Sequence, residues 1–214
     1  MRAPLLLLLF PALAHANTND EIAYGGWIRT LHAPSANAVT DDSLTGPKLE
    51  YARELVPDLA VPRLSLWVTG SFDAADADGT MFQVMTTKVE YFQFAAGARA
   101  RYEVWPFLIA GARLEAGTAR TSLAIDNAGM TYRDHGWGAV TTGALSLDLV
   151  PYAGRKLAIG VRSELGFATA SATELTPRAQ TPEDGTIELP MTRSSLGHLD
   201  LGGTTLAFTV FASF

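Results

Sequence analysis

Apolar and polar positions alternate with a period of two through much of the chain, the spacing of β-strands with two unlike faces. In 88–104 one face reads Phe92, Phe94, Ala96, Ala98, Ala100, Tyr102 and Val104, and the other Gln93, Ala95, Gly97, Arg99, Arg101 and Glu103. In 107–125, Leu108, Ala110, Ala112, Leu114 and Ala116 alternate with Gly111, Arg113, Glu115 and Gly117. The segment 156–175 sets Leu157, Ile159, Val161, Leu165 and Phe167 against Gly160, Arg162, Glu164 and Gly166. In 137–150, Leu145, Leu147 and Leu149 oppose Thr142, Ser146 and Asp148. All four segments place an apolar face opposite one made of small and charged residues.

Extended to the whole chain, the pattern predicts eight strands, near 22–32, 46–56, 62–72, 88–104, 107–125, 137–150, 156–175 and 199–214. The connections at 57–61, 105–106 and 151–155 are short. Those at 33–45, 73–87, 126–136 and 176–198 are long and rich in Gly, Asp, Thr, Pro and Ser. Strict alternation of short and long connections between an even number of strands is the layout of an up-and-down barrel in a membrane.

Two orientations of the apolar faces compete. Turned inward they would line the cavity of a soluble, lipocalin-like barrel; turned outward they would meet lipid around a polar lumen. The second is favoured by the Gly and Ala interleaved with the charges, since a narrow lumen has room only for large side chains beside small ones. The many Ala of the apolar face would pack a soluble core poorly. Aromatic residues also gather near the expected turns, with Tyr102, Trp105, Phe107 and Tyr152 at one end and Tyr132 and Trp137 at the other, as interfacial girdles do. The expected fold class is therefore all-β, an eight-stranded antiparallel up-and-down transmembrane β-barrel over 17–214.

The N-terminus is set apart from this domain. Arg2, the apolar run Leu5 to Phe10 and Ala14-His15-Ala16 form a secretory signal over 1–16, too short to span a bilayer as a helix. Composition then removes whole classes of function. Cysteine is absent, which excludes a disulfide scaffold and thiolate metal sites. The net charge of −6 argues against nucleic acid as a partner.

The last strand reads Leu206-Ala207-Phe208-Thr209-Val210-Phe211-Ala212-Ser213-Phe214, with Leu206, Phe208, Val210, Ala212 and Phe214 on one face. It resembles the C-terminal signal by which outer-membrane proteins are recognised for assembly, with Phe208, Val210 and Phe214 as its apolar positions. With the alternation and the export signal, the chain resembles the small outer-membrane β-barrel superfamily, the type of the transmembrane domain of outer membrane protein A and the opacity proteins. That resemblance implies the outer membrane of a Gram-negative bacterium. Its implied partners are outer-membrane lipid, lipopolysaccharide and the assembly machinery.

The candidate site is the inward charge. Glu50, Arg99, Arg101, Glu103, Arg113, Glu115, Asp148, Arg162 and Glu164 are expected to meet in the lumen, where Arg and Glu can pair bidentately and fill it. Such a plug implies a structural or surface-interaction role, with loop 176–198 as a surface for a partner. The competing expectation is a narrow channel for small solutes or hydrophobic compounds. His32 with Ser35, or His198 with Ser194 and Asp200, match no known hydrolytic pattern, so no enzyme is expected. Asp73, Asp76, Asp78 and Gly79 hint at a calcium loop, but Ala74 and Met85 stand where ligands belong. A solvated acidic loop is expected there, with no metal and no cofactor.

Overall fold

A computed structural model of the chain describes residues 19–214 apart from 83, 128–129, 155, 176–177 and 180–197. The expected signal segment 1–16 and most of loop 176–198 lie outside the described residues. Eight long strands form the wall: β1 (Asp20–Leu31), β2 (Ser43–Val56), β3 (Leu64–Met81), β4 (Met85–Trp105), β5 (Leu108–Asn127), β6 (Met130–Ala153), β7 (Ala158–Ala170) and β11 (Gly203–Ser213). A four-residue helix, α1 (Pro34–Asn37), follows β1. Three two-residue strands, β8 (Thr173–Glu174), β9 (Arg178–Ala179) and β10 (His198–Leu199), lie between β7 and β11.

Each long strand pairs antiparallel with the next, and β1 pairs with both β2 and β11, so the sheet closes on itself. The seam is sealed at its end by reciprocal bonds between Asp20 and Phe214: the Asp20 N–H donates to the Phe214 carbonyl at 3.0 Å, and the Phe214 N–H to the Asp20 carbonyl at 2.8 Å. Closure leaves no edge along the long strands, whose backbone groups are satisfied by neighbours.

The observed strands correct two of the expected loops. The long connections at 73–87 and 126–136 are largely strand: β3 and β4 stay paired up to Met81 opposite Met85, and β5 and β6 up to Asn127 opposite Met130. These hairpins are built from the longest strands of the wall, and the alternation of faces continues through them with its sides exchanged. Across β3–β6 the outer row Asp76, Glu90, Ser122, His135 is followed by Asp78, Lys88, Ala124, Arg133. The inner positions at the same height are Ala75, Val89, Tyr91, Leu123 and Ile125, all buried. They form an apolar core inside the barrel with Ala36 of α1, Val39, Leu175, Leu199 and Leu201. Lower in the wall the outer face is apolar, as with Leu114, Leu145, Leu165 and Phe208, each at least 60% exposed. There the charges lie inside.

Exposure along the last strand is uneven. Leu206, Phe208 and Val210 point outward, but Ala212 and Phe214 are buried along with Phe211. Ala212 sits in register between Ile22 and Ile159, whose larger side chains overshadow it.

Two glycines set how closely β4 approaches β5. A Cβ at Gly97 would stand 1.9 Å from the Leu114 carbonyl oxygen, and one at Gly117 the same distance from that of Phe94. Both contacts are with backbone, which cannot rotate away. Gly97→Ala is therefore expected to lower stability by about 1–3 kcal/mol, the range for overpacking. Gly70→Ala, where an added Cβ meets nothing within 4 Å, should stay within about 0.5 kcal/mol of the parent chain. Urea-unfolding midpoints of the refolded chain measure both.

Candidate functional site

Below the apolar core, inward positions of seven strands bring charges together. Glu21 comes from β1, Lys48 and Glu50 from β2, Asp73 from β3, Arg99 and Arg101 from β4, Arg113 and Glu115 from β5, Asp148 from β6, and Arg162 and Glu164 from β7. All eleven are buried. Most are flanked on both sides by outward apolar residues, and Glu21, Arg162 and Glu164 on one side, so strand periodicity turns them away from the exterior.

Glu50 is the hub. Its carboxylate accepts from Arg99 Nη2 at 2.8 Å and from Arg162 Nη1 at 3.1 Å, with Arg113 Nη1 at 3.7 Å and Lys48 Nζ at 3.9 Å. Arg162 grips Asp148 bidentately, Nε donating to Oδ1 at 2.9 Å and Nη2 to Oδ2 at 3.0 Å, and also donates to Glu21 at 2.7 Å. Arg101 joins the same two carboxylates, reaching Glu21 at 2.8 Å and Asp148 at 3.1 Å. Glu164 accepts from Arg99 and from Arg113, both at 2.9 Å. Arg113 also contacts Glu115, which accepts from the hydroxyls of Thr69 at 2.6 Å and Ser71 at 2.9 Å. Many of these pairs cross the lumen between strands that are not neighbours, so the network ties opposite walls together.

Charge within this layer is nearly balanced: five cations face six carboxylates. One step above, Arg29 supplies a sixth cation and is held entirely by neutral partners. It donates to Tyr91 Oη and Gln93 Oε1, both at 3.1 Å, and to the Leu201 carbonyl at 3.3 Å. Its guanidinium also lies over the rings of Trp27 and Tyr91, at 4.9 and 5.2 Å from their centroids. Below the layer, Phe211 packs with Ala23 and Val150, and the guanidinium carbons of Arg162 and Arg101 sit 4.8 and 5.5 Å from the centre of its ring.

The remaining space is small. A cavity of about 10 Å³ lies among Lys48, Asp73, Arg113, Thr142 and Glu164, where the Thr142 hydroxyl has no protein partner. That volume suits one water and nothing larger.

Eight of the nine residues expected in the lumen are brought together. Glu103 is the exception: it is half-buried and lines the vestibule at the turn end with Glu54 and Arg63, below the paired layer. A register shift between Glu103 and Trp105 ends the regular ladder there, so Glu103 lies where the wall opens to solvent. Sequence reading missed Glu21, Lys48, Asp73 and Arg29. The first three carried a usable signal, since Glu21 is in phase with Ala23, Lys48 with Glu50, and Asp73 with Ser71.

The other candidate groups do not converge. His32 Nε2 lies 3.2 Å from the Thr204 hydroxyl, whereas Ser35 Oγ accepts from the Asp200 N–H at 3.3 Å. His198 pairs across from Glu174 in a short ladder, and Ser194 lies outside the described residues. The expected acidic loop is strand instead: Asp73 points inward near Lys48, and Asp76 and Asp78 point outward. Among the described residues no group of three or more His, Cys, Asp or Glu is arranged to hold a metal ion.

No family model matches the chain, and no curated protein matches it. Among solved structures, the chain is similar to Ail, the attachment invasion locus protein of Yersinia pestis, at 11% identity and a TM-score of 0.49, covering 91% of this chain and 97% of that one. A second structure of the same protein, in complex with the heparin analogue sucrose octasulfate, gives 10% identity and a TM-score of 0.47, covering 91% and 96%. The barrel architecture rests on the closed set of strand pairings within this chain.

Removing one partner from such a layer leaves the others buried and uncompensated, a change that costs about 3–5 kcal/mol. Arg162→Met, which takes one guanidinium partner from each of Glu21, Glu50 and Asp148, is expected to fall in that range. Arg53→Met at the exterior, where Arg53 lies 3.9 Å from Asp20 and is 58% exposed, should cost no more than about 1 kcal/mol. Equilibrium urea unfolding distinguishes the two.

Proposed function

We propose that the chain is an outer-membrane β-barrel with a closed lumen, serving a structural or surface-interaction role. The observation that carries this reading is the apolar outer band set against charges that face inward and pair. On β4 the band runs from Phe92 to Tyr102; the ten residue-to-residue rises of ~3.3 Å each, tilted by ~40°, span about 25 Å, the height of the apolar band of such barrels. Above Phe92 the outer face turns polar and the inner face apolar, which is the pattern of a wall standing in water. The exchange therefore marks the upper boundary of the bilayer.

At the turn end, Tyr102, Trp105, Phe107 and Tyr152 are exposed and form the lower aromatic girdle. At the loop end, exposed Trp137 belongs to the upper girdle, and half-buried Tyr132 packs against the internal core instead. Residues 1–16 direct export, and Phe208, Val210 and Phe214 serve in recognition by the assembly machinery. With the lumen filled, activity belongs to the loop end and the outer wall, including loop 176–198 as a surface for a partner.

Heat-modifiable gel migration of the folded chain, followed by planar-bilayer conductance, tests this reading; a folded species without porin-sized currents is the expected result. Charge insertion tests the boundary. Leu145→Arg, in the apolar band, should destabilise the barrel by about 2–4 kcal/mol in lipid bilayers. Ser122→Arg, in the polar rows above, should be tolerated. Equal effects at the two positions would contradict the membrane assignment.

A further inference from the structure

Two features of the outer wall stand one above the other on β4 and β5. The upper is an open pocket of about 760 Å³ in the polar rows, lined by Arg120, Arg133, Lys88, Glu90, Ser122 and Asp134 among others, Asp134 being engaged in an interaction of its own. Lys88 is neutralised by Glu90 on its own strand, Nζ to Oε1 at 3.5 Å. Arg120 and Arg133 have no hydrogen-bond or ion-pair partner among the described residues. Two guanidinium groups without carboxylate partners among the described residues, on one face and within two residue rows of each other, form a site for an anion able to accept several N–H bonds. Glu90 and Ser122 beside them supply acceptors for hydroxyl groups. Exposed Trp137, in register with Arg120, offers an amphipathic ring at the same level.

The lower feature is a groove of about 510 Å³ in the apolar band, where Ala96, Ala116 and Gly70 form a floor between Phe72, Phe94 and Tyr51. Small side chains flanked by aromatic ones leave a channel on a lipid-facing surface. The groove's upper row, Phe72, Phe94 and Thr118, lies directly below the row of Phe92, Arg120 and Trp137, whose Arg120 also lines the cationic pocket.

We propose that this stretch of wall holds one phosphorylated, multiply acylated glycolipid of the outer leaflet. Its phosphate lies between Arg120 and Arg133, its sugar hydroxyls reach Glu90 and Ser122, and an acyl chain lies in the Ala96–Ala116 groove. The mixture of guanidinium donors and carboxylate and hydroxyl acceptors selects a sugar phosphate over a simple phosphodiester headgroup, which offers few hydroxyl groups. The placement of anion site above groove matches the order of phosphate and acyl chain in such a lipid. The assignment rests on the outer-membrane reading above and adds the residues that would hold the lipid.

The test uses the refolded chain in phosphatidylcholine nanodiscs that contain bisphosphorylated lipid A, its dephosphorylated form, or phosphatidylglycerol. Native mass spectrometry reports the lipid retained. The parent chain is expected to retain bisphosphorylated lipid A at least about tenfold better than either alternative, as two charge-assisted contacts would give. Arg120→Gln combined with Arg133→Gln should abolish that preference. Ala116→Phe, which fills the groove, should weaken retention and leave the preference for phosphate in place. Retention of phosphatidylglycerol equal to that of lipid A, or a preference that survives the double substitution, would overturn the site. All these positions face outward, and heat-modifiable migration verifies folding in each sample. Loss of migration in the parent chain would sink the membrane reading itself; intact migration with unselective retention would sink the lipid site alone.

Discussion

The structure depends on pairing charges in a space too narrow to hydrate them. A closed ring of eight strands has an interior about as wide as the side chains that fill it. Any Arg or Glu turned inward must therefore find its partners among the other groups that line the lumen. Taking an ion out of water costs several kcal/mol, and only good geometry with several hydrogen bonds offsets that cost. Glu50, Glu21 and Asp148 meet this requirement with guanidinium groups from two or more sides. The same requirement fixes register. A slip of one residue on β4 would send Arg99 and Arg101 into the apolar band and bring Ala98 and Ala100 inside.

Above that layer the barrel solves the opposite problem with the same backbone. The strands of the two tall hairpins leave the apolar zone, so their outer faces need polar groups and their inner faces need a core. Val89, Tyr91, Leu123 and Ile125 provide the core, and α1 closes it from above through Ala36. Arg29 stands at the join. It is fully buried, yet it bonds only hydroxyl, amide and carbonyl oxygens and lies against two aromatic rings. One guanidinium thus links the apolar core to the charged layer without a carboxylate of its own.

This exchange of sides explains what the sequence disclosed and what it withheld. The faces of 88–104, 107–125 and 156–175 were legible because these strands set large outward apolar residues against inward charges, a strong contrast at period two. Within 75–79 the contrast is Ala against Asp, ending on Gly, a composition shared with loops. The period persists there, but its amplitude is low and its sign reversed, so the segment reads as a connection. Glu21 was missed for a related reason: it opens its strand, and no apolar run precedes it to reveal the phase. Lys48 follows Pro47 and Gly46, residues that mark a loop edge more strongly than a strand. Arg29 could not have been placed from its neighbours, since its partners Tyr91, Gln93 and Leu201 lie far away in sequence.

How firmly the lumen is closed follows from comparing the contacts of its cations. The guanidinium groups of Arg99, Arg101, Arg113 and Arg162 reach their nearest carboxylates at 3.1 Å or less, each on more than one strand, because a planar fork can satisfy two partners at once. Lys48 is held differently. Its ammonium stands 3.6 to 3.9 Å from Glu164, Asp73 and Glu50, beyond direct hydrogen-bond distance from all three, beside the one-water cavity. A point charge shared loosely among three carboxylates contributes charge balance more than geometry. Moving it would leave Arg99, Arg113 and Arg162 still clasping Glu50 and Glu164. The apolar core above and Phe211 below would also remain in place. Closure therefore does not rest on any one contact; three layers of different chemistry would have to yield together before a solute could pass.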